Sequence, residues 1–369
     1  MKTNWQIKKL GEVCGITTGS SNTVDAVSNG QYAFFDRSKT IKRSDKFLFD
    51  GEALIIPGEG AEFFPKYYFG KFNLHQRAYA LLNFHKEVNI KFVEYYLIFE
   101  HKYFERVAVG ATVKSLRRRH FDDLEIPLPP LPEQKRIVEI LDEAIEKIAK
   151  AKENTEKNLR NSKDLFESYL QSLFAKLGRD WEEKTLGDIG KPSMCKRILK
   201  HQTSPSGEIP FYKIGTFGKK PNAFISEEIY NEFRTKYSFP KKGDILISAS
   251  GTIGKRVRYD GEPAFFQDSN IVWIDNDEKQ VLNDYLFVFY EFCDWQPSKG
   301  ATIARLYNSN LTSIKIVFPK SLSEQKALVN KIDIFSEQTK KLEANYKQKI
   351  ADLDELKKSL LTKAFAGEL

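Results

Sequence analysis

Stretches of the first half of this chain return in its second half, in the same order. Trp5-Gln6-Ile7-Lys8-Lys9-Leu10-Gly11-Glu12-Val13 is answered by Trp181-Glu182-Glu183-Lys184-Thr185-Leu186-Gly187-Asp188-Ile189. Gly110-Ala111-Thr112-Val113 returns as Gly300-Ala301-Thr302-Ile303, Glu133-Gln134-Lys135 as Glu324-Gln325-Lys326, and Phe174-Ala175 as Phe365-Ala366. A nearly constant offset across four matches means that one unit was duplicated, and the fold must be built from two similar parts. Such a chain presents two related surfaces, which suits a target that itself has two halves.

The length of 369 residues exceeds one ordinary core and predicts two or more domains. An apolar share of 41%, with 28 Phe and 16 Tyr, argues against disorder. No apolar run approaches the roughly 20 residues that cross a bilayer, so a soluble chain with no membrane partner is expected. The N-terminus enters polar sequence without the apolar stretch of a secretory signal. Cys14, Cys195 and Cys293 form neither a disulfide framework nor a metal spacing, and a cytoplasmic location follows as the expectation. The formal charge of +8 is unevenly placed: +4 in residues 1–132 and +3 in 179–322, but 0 in 133–178 and +1 in 323–369. A basic excess attracts phosphate backbones, although one this modest also occurs in proteins that bind no nucleic acid.

From Glu133 to about Lys176 there is no Gly or Pro, and apolar residues recur among charged ones at Ile137, Leu141, Ile145, Ile148, Leu159, Phe166, Tyr169 and Leu173. The spacing predicts a helix of about 65 Å, led in by Leu128-Pro129-Pro130-Leu131-Pro132 and ended by Gly178. Its second copy carries Leu328, Ile332, Phe335, Thr339, Leu342, Tyr346, Ile350, Leu353, Leu356 and Leu360 at spacings of three and four, a coiled-coil seam. In the first copy the middle of the seam is small or polar, at Ala144, Ala151, Thr155, Asn158 and Ser162. Each helix could pack on its own globular domain. The low net charge of both and their duplicated placement favour antiparallel pairing of one on the other. The expected boundaries are a first domain at 1–132, a central helix at 133–178, a second domain at 179–322 and a C-terminal helix at 323–369.

Each helix follows a mixed unit. In the second, residues 243–255 read as a short buried strand, Gly243-Asp244-Ile245-Leu246-Ile247-Ser248, entering a Gly-rich turn. The first answers with Gly51-Glu52-Ala53-Leu54-Ile55-Ile56-Pro57-Gly58-Glu59-Gly60. Phe72-Asn73-Leu74-His75-Gln76-Arg77 matches Phe265-Phe266-Gln267-Asp268, and helices are expected from Phe92 to Tyr103 and from Asn283 to Cys293. The class is α+β: two repeated mixed α/β domains and two long helices in an antiparallel coiled coil.

No catalytic constellation stands out. The Gly251-Thr252-Ile253-Gly254-Lys255 turn lacks phosphate-loop spacing, and no Gly-x-Gly-x-x-Gly opens a helix after a strand. His75, His85, His101, His120 and His201 are far apart, without an HExxH or Cys-x-x-Cys companion. The chain is expected to be no enzyme by itself and to carry no cofactor and no metal.

A unit opening with Trp-x-x-x-x-Leu-Gly-Glu/Asp, then a Gly-Asp-Ile-Leu-x-Ser strand, a Gly-Ala-Thr loop, Pro127-Leu128-Pro129-Pro130-Leu131-Pro132-Glu133-Gln134 and a long helix, all repeated, resembles the specificity (S, HsdS) subunit of type I restriction–modification systems. The resemblance covers essentially the whole chain, through Leu360-Leu361-Thr362-Lys363-Ala364-Phe365-Ala366-Gly367-Glu368-Leu369. The second copy departs from it at Phe318-Pro319-Lys320-Ser321-Leu322-Ser323-Glu324-Gln325. The resemblance implies two target recognition domains held apart by antiparallel helices, each reading one half of a bipartite, asymmetric sequence in double-stranded DNA. It further implies two modification (methyltransferase) subunits docked along the helices and a restriction (translocase/nuclease) subunit in the assembled complex. Two readings stay open beside it: a standalone DNA-binding or scaffolding protein of the same fold, and a self-contained methyltransferase, against which the missing cofactor loop and Asn/Asp-Pro-Pro-aromatic motif speak.

Base reading needs Arg, Lys, Asn or Gln at groove edges, and positioning needs cations at phosphates. The first candidates follow the Gly-Ala-Thr loops: Lys114, Ser115, Arg117, Arg118 and Arg119, then Arg305, Tyr307 and Asn308. The second set lies in the Gly-rich turns, at Glu59 and Gly60 and at Ser248, Ser250, Thr252 and Lys255. A third is Gly19, Ser20 and Ser21 with Lys196 and Arg197. The plain alternatives are a solvated basic turn for the first set and a simple hairpin connection for the second. For helix pairing and partner docking the candidates are Ile137, Leu141, Ile148, Tyr169, Leu173, Leu328, Ile332, Phe335, Leu342, Tyr346, Leu353 and Leu360.

Overall fold

The structure, a computed structural model, describes residues 5–175, 180–295 and 304–369. Lys176, Gly178 and the Gly300-Ala301-Thr302-Ile303 match lie outside the described residues, as do the side chains of Phe174 and Ala175. Contacts divide the chain into one unit of Met1–Leu159 with Asn345–Leu369 and another of Arg160–Ala344.

The first unit runs β1 (Gln6–Lys9), α1 (Leu10–Val13), β2 (Gly15–Thr18), β3 (Tyr32–Phe35), β4 (Lys42–Ser44), β5 (Phe49–Pro57), β6 (Lys66–Leu74) and β7 (Ala78–Leu82). It continues through α2 (Ile90–Phe99), α3 (His101–Val107), α4 (Arg118–Asp122) and β8 (Glu125–Leu128) into the long α5 (Leu131–Ala175). The second runs β9 (Trp181–Thr185), α6 (Leu186–Ile189), β10 (Gly190–Ser193), β11 (Ile209–Tyr212), β12 (Phe224–Ile225), α7 (Glu227–Lys236) and β13 (Ile245–Ser248). Then follow β14 (Arg256–Arg258), β15 (Phe265–Phe266), β16 (Ile271–Asn276), α8 (Asn283–Phe289), α9 (Asn308–Ser313), β17 (Lys315–Pro319) and the long α10 (Leu322–Ala366). Helices and sheets are mixed in both units, the expected α+β class.

A six-stranded sheet in the order β2-β7-β5-β6-β3-β4 organises the first unit. Along β5 the side chains alternate, as strand geometry requires: Leu54 and Ile56 join the cluster that holds the helices, Ala53 and Ile55 the cluster on the other face. The second unit splits the same arrangement into β10-β16-β13-β14 and β12-β11-β15. In the first unit β6 pairs with β5 through its first part and, in parallel, with β3 through its last. The counterpart is cut into β14 and β15 by Asp260-Gly261-Glu262-Pro263, where Gly261 has φ +92° and Pro263 cannot donate to a ladder. The two helices expected over 92–103 and 283–293 also differ from the sequence reading. The first breaks at Glu100 (ψ 16°), giving α2 and α3, and the second ends at Phe289.

The repeated motifs prove to be framework. β1 pairs with β8, and β9 with β17. Leu10 and Leu186 are buried at the helix starts, and the acids beside them cap: Glu12 accepts from the Lys9 amide at 3.2 Å and Asp188 from the Thr185 amide at 2.8 Å. The glycine between is needed for close packing, because a Cβ on Gly11 would sit 2.8 Å from Asp122 Oδ1 and one on Gly187 3.0 Å from Thr312 Cβ. Gln134 is buried at the foot of α5: its Oε1 accepts from the Asn89 amide at 2.8 Å, and its Nε2 donates to Pro129 O (2.8 Å) and Glu87 O (3.0 Å). Gln325 repeats this with the Leu282 amide (2.9 Å), Pro319 O (2.8 Å) and Gln280 O (2.8 Å). A primary amide is the group of this size that satisfies one buried backbone donor and two acceptors at once.

In the first unit α5 and α10 run antiparallel: Arg136 Nη2 donates to Leu369 O at 2.6 Å, and Lys152 pairs with Asp354 at 2.6 Å. In the second unit Phe335 of α10 packs on Phe166 (5.8 Å) and Tyr169 (4.7 Å) of α5. Along α5 the buried positions include Ile137, Leu141, Ile148, Thr155, Ser162 and Leu170, with Tyr169 and Leu173 partly covered. The polar middle of the seam is tolerated because Thr155 Oγ1 donates to Ala151 O (2.7 Å), as Thr339 Oγ1 on α10 does to Phe335 O (2.9 Å). On α10, Ile332 is buried, and Leu328, Phe335, Tyr346, Leu353 and Leu360 are half-buried. Leu342, expected in the seam, is 40% exposed.

Candidate nucleic-acid interface

The three candidate sets lie on separate stretches of sequence, and each unit links them through a further segment that is matched between the copies but is not among the candidates. In the first unit the turn after β5 is stitched to the loop before α4. The Gly60 amide donates to Lys114 O (3.0 Å), the Leu116 amide to Gly58 O (2.7 Å), and Glu59 bridges Ser115. In the second, Ser250 bridges Arg305 and the Leu306 amide donates to Ala249 O (2.9 Å). That segment is 75–77 in one unit, between β6 and β7, and 267–270 in the other, between β15 and β16. The Gly58 amide donates to Arg77 O at 2.9 Å, as the Ala249 amide does to Asn270 O at 2.7 Å.

These shared bonds place Glu59 opposite Ser250, Arg77 opposite Asn270, Ser115 opposite Arg305, Arg117 opposite Tyr307 and Arg118 opposite Asn308. At each of these places the backbone is alike and the side chain is not. Glu59 takes Arg37 Nη1 at 2.8 Å on one oxygen and Arg77 Nη1 on the other, with Ser115 Oγ at 3.4 Å. Burial alone would raise the Glu59 carboxyl, but the Arg77 and Arg37 guanidiniums hold it below the usual carboxylate range. In the second unit Ser250 Oγ donates to Asn270 Oδ1 at 2.6 Å, and Arg197 pairs with Asp268 at 2.8 Å. Arg197, Lys200, Lys213, Asn270 and Arg305 line one open, cation-rich pocket there.

Arg117, Arg118 and Arg119 are exposed at the start of α4. Arg118 reaches Asp122 at 3.4 Å, whereas no ion pair among the described residues ties Arg117 or Arg119. Burial, then the Arg119 and Arg117 charges, push the His120 imidazole below its ordinary value. A neutral ring can then accept from the Arg117 amide at 3.2 Å and fix the turn. Lys114 Nζ donates to Glu105 O at 2.8 Å. Tyr307 is 54% exposed, and Asn308 follows it on the surface.

Two of the second-set candidates turn inward. Ser248 is buried: its hydroxyl donates to Thr252 O and accepts from the Lys255 amide, closing the Gly-rich turn instead of facing outward. Lys255 Nζ is spent on Phe217 O, while Thr252 is exposed. Gly254 is required there, since at φ +83° a Cβ would run into the Trp295 indole. In the third set Ser20 is exposed, Ser21 Oγ donates to Asn73 Oδ1 at 2.8 Å and Gly19 passes so close to Leu74 O that no Cβ fits. Lys196 lies over the Tyr237 ring at 4.6 Å.

Burial pushes the thiols of Cys14, Cys195 and Cys293 up to about 12, which keeps them protonated at neutral pH. Among the described residues no group of three or more His, Cys, Asp or Glu could hold a metal ion, and no helix is long and apolar enough to cross a membrane. Arg37, Arg77, Lys200, Lys213 and Asn270 were missed from sequence. The available signal was the matched pair of strand ends, Phe72 to Arg77 and Phe265 to Asp268, each running into polar residues.

The chain matches the model of the type I restriction modification DNA specificity domain twice, over residues 2–158 and 178–352. A putative type I restriction enzyme specificity subunit of Haemophilus influenzae is 40% identical over 340 residues, 89% of this chain and 86% of that protein. The EcoDI specificity subunit of Escherichia coli is 22% identical over 407 residues, 99% of this chain and 89% of that one. Among solved structures, a chain from work on complex assembly and conformational transition of the type I R-M system superposes with a TM-score of 0.75 at 18% identity, covering 99% of this chain and 98% of that one. The HsdS subunit of Thermoanaerobacter tengcongensis shares the fold at a TM-score of 0.60 and 17% identity, over 99% of this chain and 97% of that one. With two matched domains, a 40%-identical relative and the same fold, this chain belongs to the DNA specificity family of type I restriction–modification systems.

Proposed function

We propose that the chain is the non-catalytic recognition subunit of a type I restriction–modification complex, reading a bipartite, asymmetric DNA sequence with one half-site per unit. The observation that carries this is the matched frame with unmatched side chains: Glu59 against Ser250, Arg77 against Asn270 and Arg117 against Tyr307, on the same backbone hydrogen bonds. Two like frames with unlike hydrogen-bonding groups would read two different half-sites. Recognition domains at 1–132 and 179–322 and spacer helices at 133–178 and 323–369 are part of this reading. So are two modification subunits docked on the helices, a restriction subunit in the assembled complex, and action in the cytoplasm. Methylome sequencing of the host with and without this gene tests it. Loss of one bipartite methylated motif is expected; an unchanged methylome overturns the reading.

Within this reading Arg117, Arg118 and Arg119 contact phosphate, because clustered cations gain affinity by releasing counterions. Replacing all three with alanine is expected to lower the slope of log affinity against log salt by about 2–3 without altering the recognised sequence. Filter binding of the assembled complex at several salt concentrations measures the slope. A changed recognition sequence would put an arginine on a base and reject the phosphate assignment.

A further inference from the structure

Glu59 is held at 11% side-chain exposure, yet both guanidiniums it grips are half exposed, Arg77 at 57% and Arg37 at 52%. Each arginine commits only its Nη1, and the remaining donors of both have no partner among the described residues. The Arg77 backbone is fixed as well, its amide donating to His75 Nδ1 at 3.0 Å and its carbonyl accepting from Gly58. An exposed ion pair adds little stability, so a carboxylate sunk beneath two open forks is better understood as an aiming device. A fork already anchored at one nitrogen loses less rotamer freedom when it meets a planar acceptor pair.

The second unit repeats the device with other chemistry. Ser250, 6% exposed, donates to Asn270 Oδ1, while Asn270 Nδ2 has no partner among the described residues. Arg37 has no such equivalent. The His75 amide donates to Phe35 O as the Gln267 amide does to Tyr212 O, which sets Arg37 opposite Ile214, an aliphatic side chain. Position 77/270 is therefore the place where both units hold a side chain able to make two parallel hydrogen bonds, steadied by a neighbour across the turn. Arginine forks match guanine O6 and N7, and asparagine amides match adenine N6 and N7.

We propose that Arg77 and Asn270 are equivalent specificity-determining residues, Arg77 reading a guanine in one half-site and Asn270 an adenine in the other, with Glu59 and Ser250 as their positioning residues. This rests on the DNA-recognition reading above.

Methylome sequencing of hosts carrying the complete system with Arg77→Ala, Glu59→Gln or Asn270→Ala tests it. With Arg77→Ala, one guanine position of one half-site is expected to become degenerate, discrimination there falling on the order of ten- to a hundred-fold, while the other half-site stays strict. Glu59→Gln relaxes that same position, a coincidence that a merely structural carboxylate would not produce. Asn270→Ala relaxes an adenine in the other half-site. Degeneracy at a different base, or at different positions for Arg77→Ala and Glu59→Gln, overturns the assignment. If Arg77→Ala abolishes methylation, Arg77→Lys decides, because lysine keeps the charge and loses the fork. Methylation restored with that guanine position degenerate supports base reading, whereas an unchanged motif marks a phosphate contact and continued loss marks a structural role. The native methylome separates the two levels: a native bipartite motif that survives Arg77→Ala sinks only the Arg77 assignment, while the lack of any such motif sinks the recognition reading beneath it.

Discussion

Seven residues inserted after Leu159, matched by seven after Ala344, are expected to lengthen the spacer between the two half-sites by about three base pairs. The insertion points are where the two units divide within α5 and α10. A heptad adds about 10.5 Å of helix and returns its faces to within roughly 20°, so the seam is preserved. At about 3.4 Å per base pair that length corresponds to some three base pairs. The duplex also turns about 100° over that distance, so affinity is expected to fall even as the motif changes. Matching is essential because the helices are antiparallel in register, with Lys152 on Asp354 in one unit and Tyr169 on Phe335 in the other. A heptad in α5 alone would put the two helices out of register in one unit, giving either buried Thr155 or buried Ser162 new partners. The methylome of a host carrying the doubly lengthened chain reads the result. An unchanged spacer would mean that something other than the helices sets the distance.

What the sequence made legible was the frame, for a reason visible in its residues. Gly11 and Gly187 are forced by close helix packing, and Gln134 and Gln325 by a set of three buried backbone partners. Constraints of that kind admit few residue types, and both copies kept them. Heptad spacing likewise revealed which face of each long helix is apolar. It does not say how far each position is covered, and Leu342 lies on that face yet stays exposed. The recognition surface was only partly legible. Glu59 follows β5 and Arg77 precedes β7, and they meet only because those strands pair, so neither marks the other in sequence. Ser248 looked like an exposed turn residue, but its hydroxyl is drawn inward by Thr252 O and the Lys255 amide. The break between β14 and β15 needed only Gly261 and Pro263, a punctuation that reads equally well as an ordinary hairpin turn.

Phe365→Ala is expected to remove about 3–4 kcal/mol from the stability of the first unit. Phe365 sits near the end of α10, far along the chain from the strands that open it, yet it is 6% exposed in the first unit's core. Its ring lies 5.4 Å from Phe92, 5.2 Å from Tyr96 and 5.3 Å from Phe99, the apolar face of α2. Leu361 and Ala364, one turn away and adjacent, are buried in the same cluster. Alanine would leave a cavity lined by three aromatic rings that are themselves fixed by packing, so little of it can collapse. Hydrogen exchange on the α2 amides measures the loss locally, and protection there should drop by about two to three orders of magnitude, since each 1.4 kcal/mol is tenfold. The amides of β13 and β16, in the other unit's core, should keep theirs. Leu356→Ala, on the same helix but 54% exposed, provides the contrast and should change stability by no more than about 0.5 kcal/mol. Equal effects from the two substitutions, or unchanged protection in α2, would mean that the end of α10 does not complete this core. The direction of α10 in the first unit would then rest on its contacts with α5 alone, Arg136 with Leu369 O and Lys152 with Asp354.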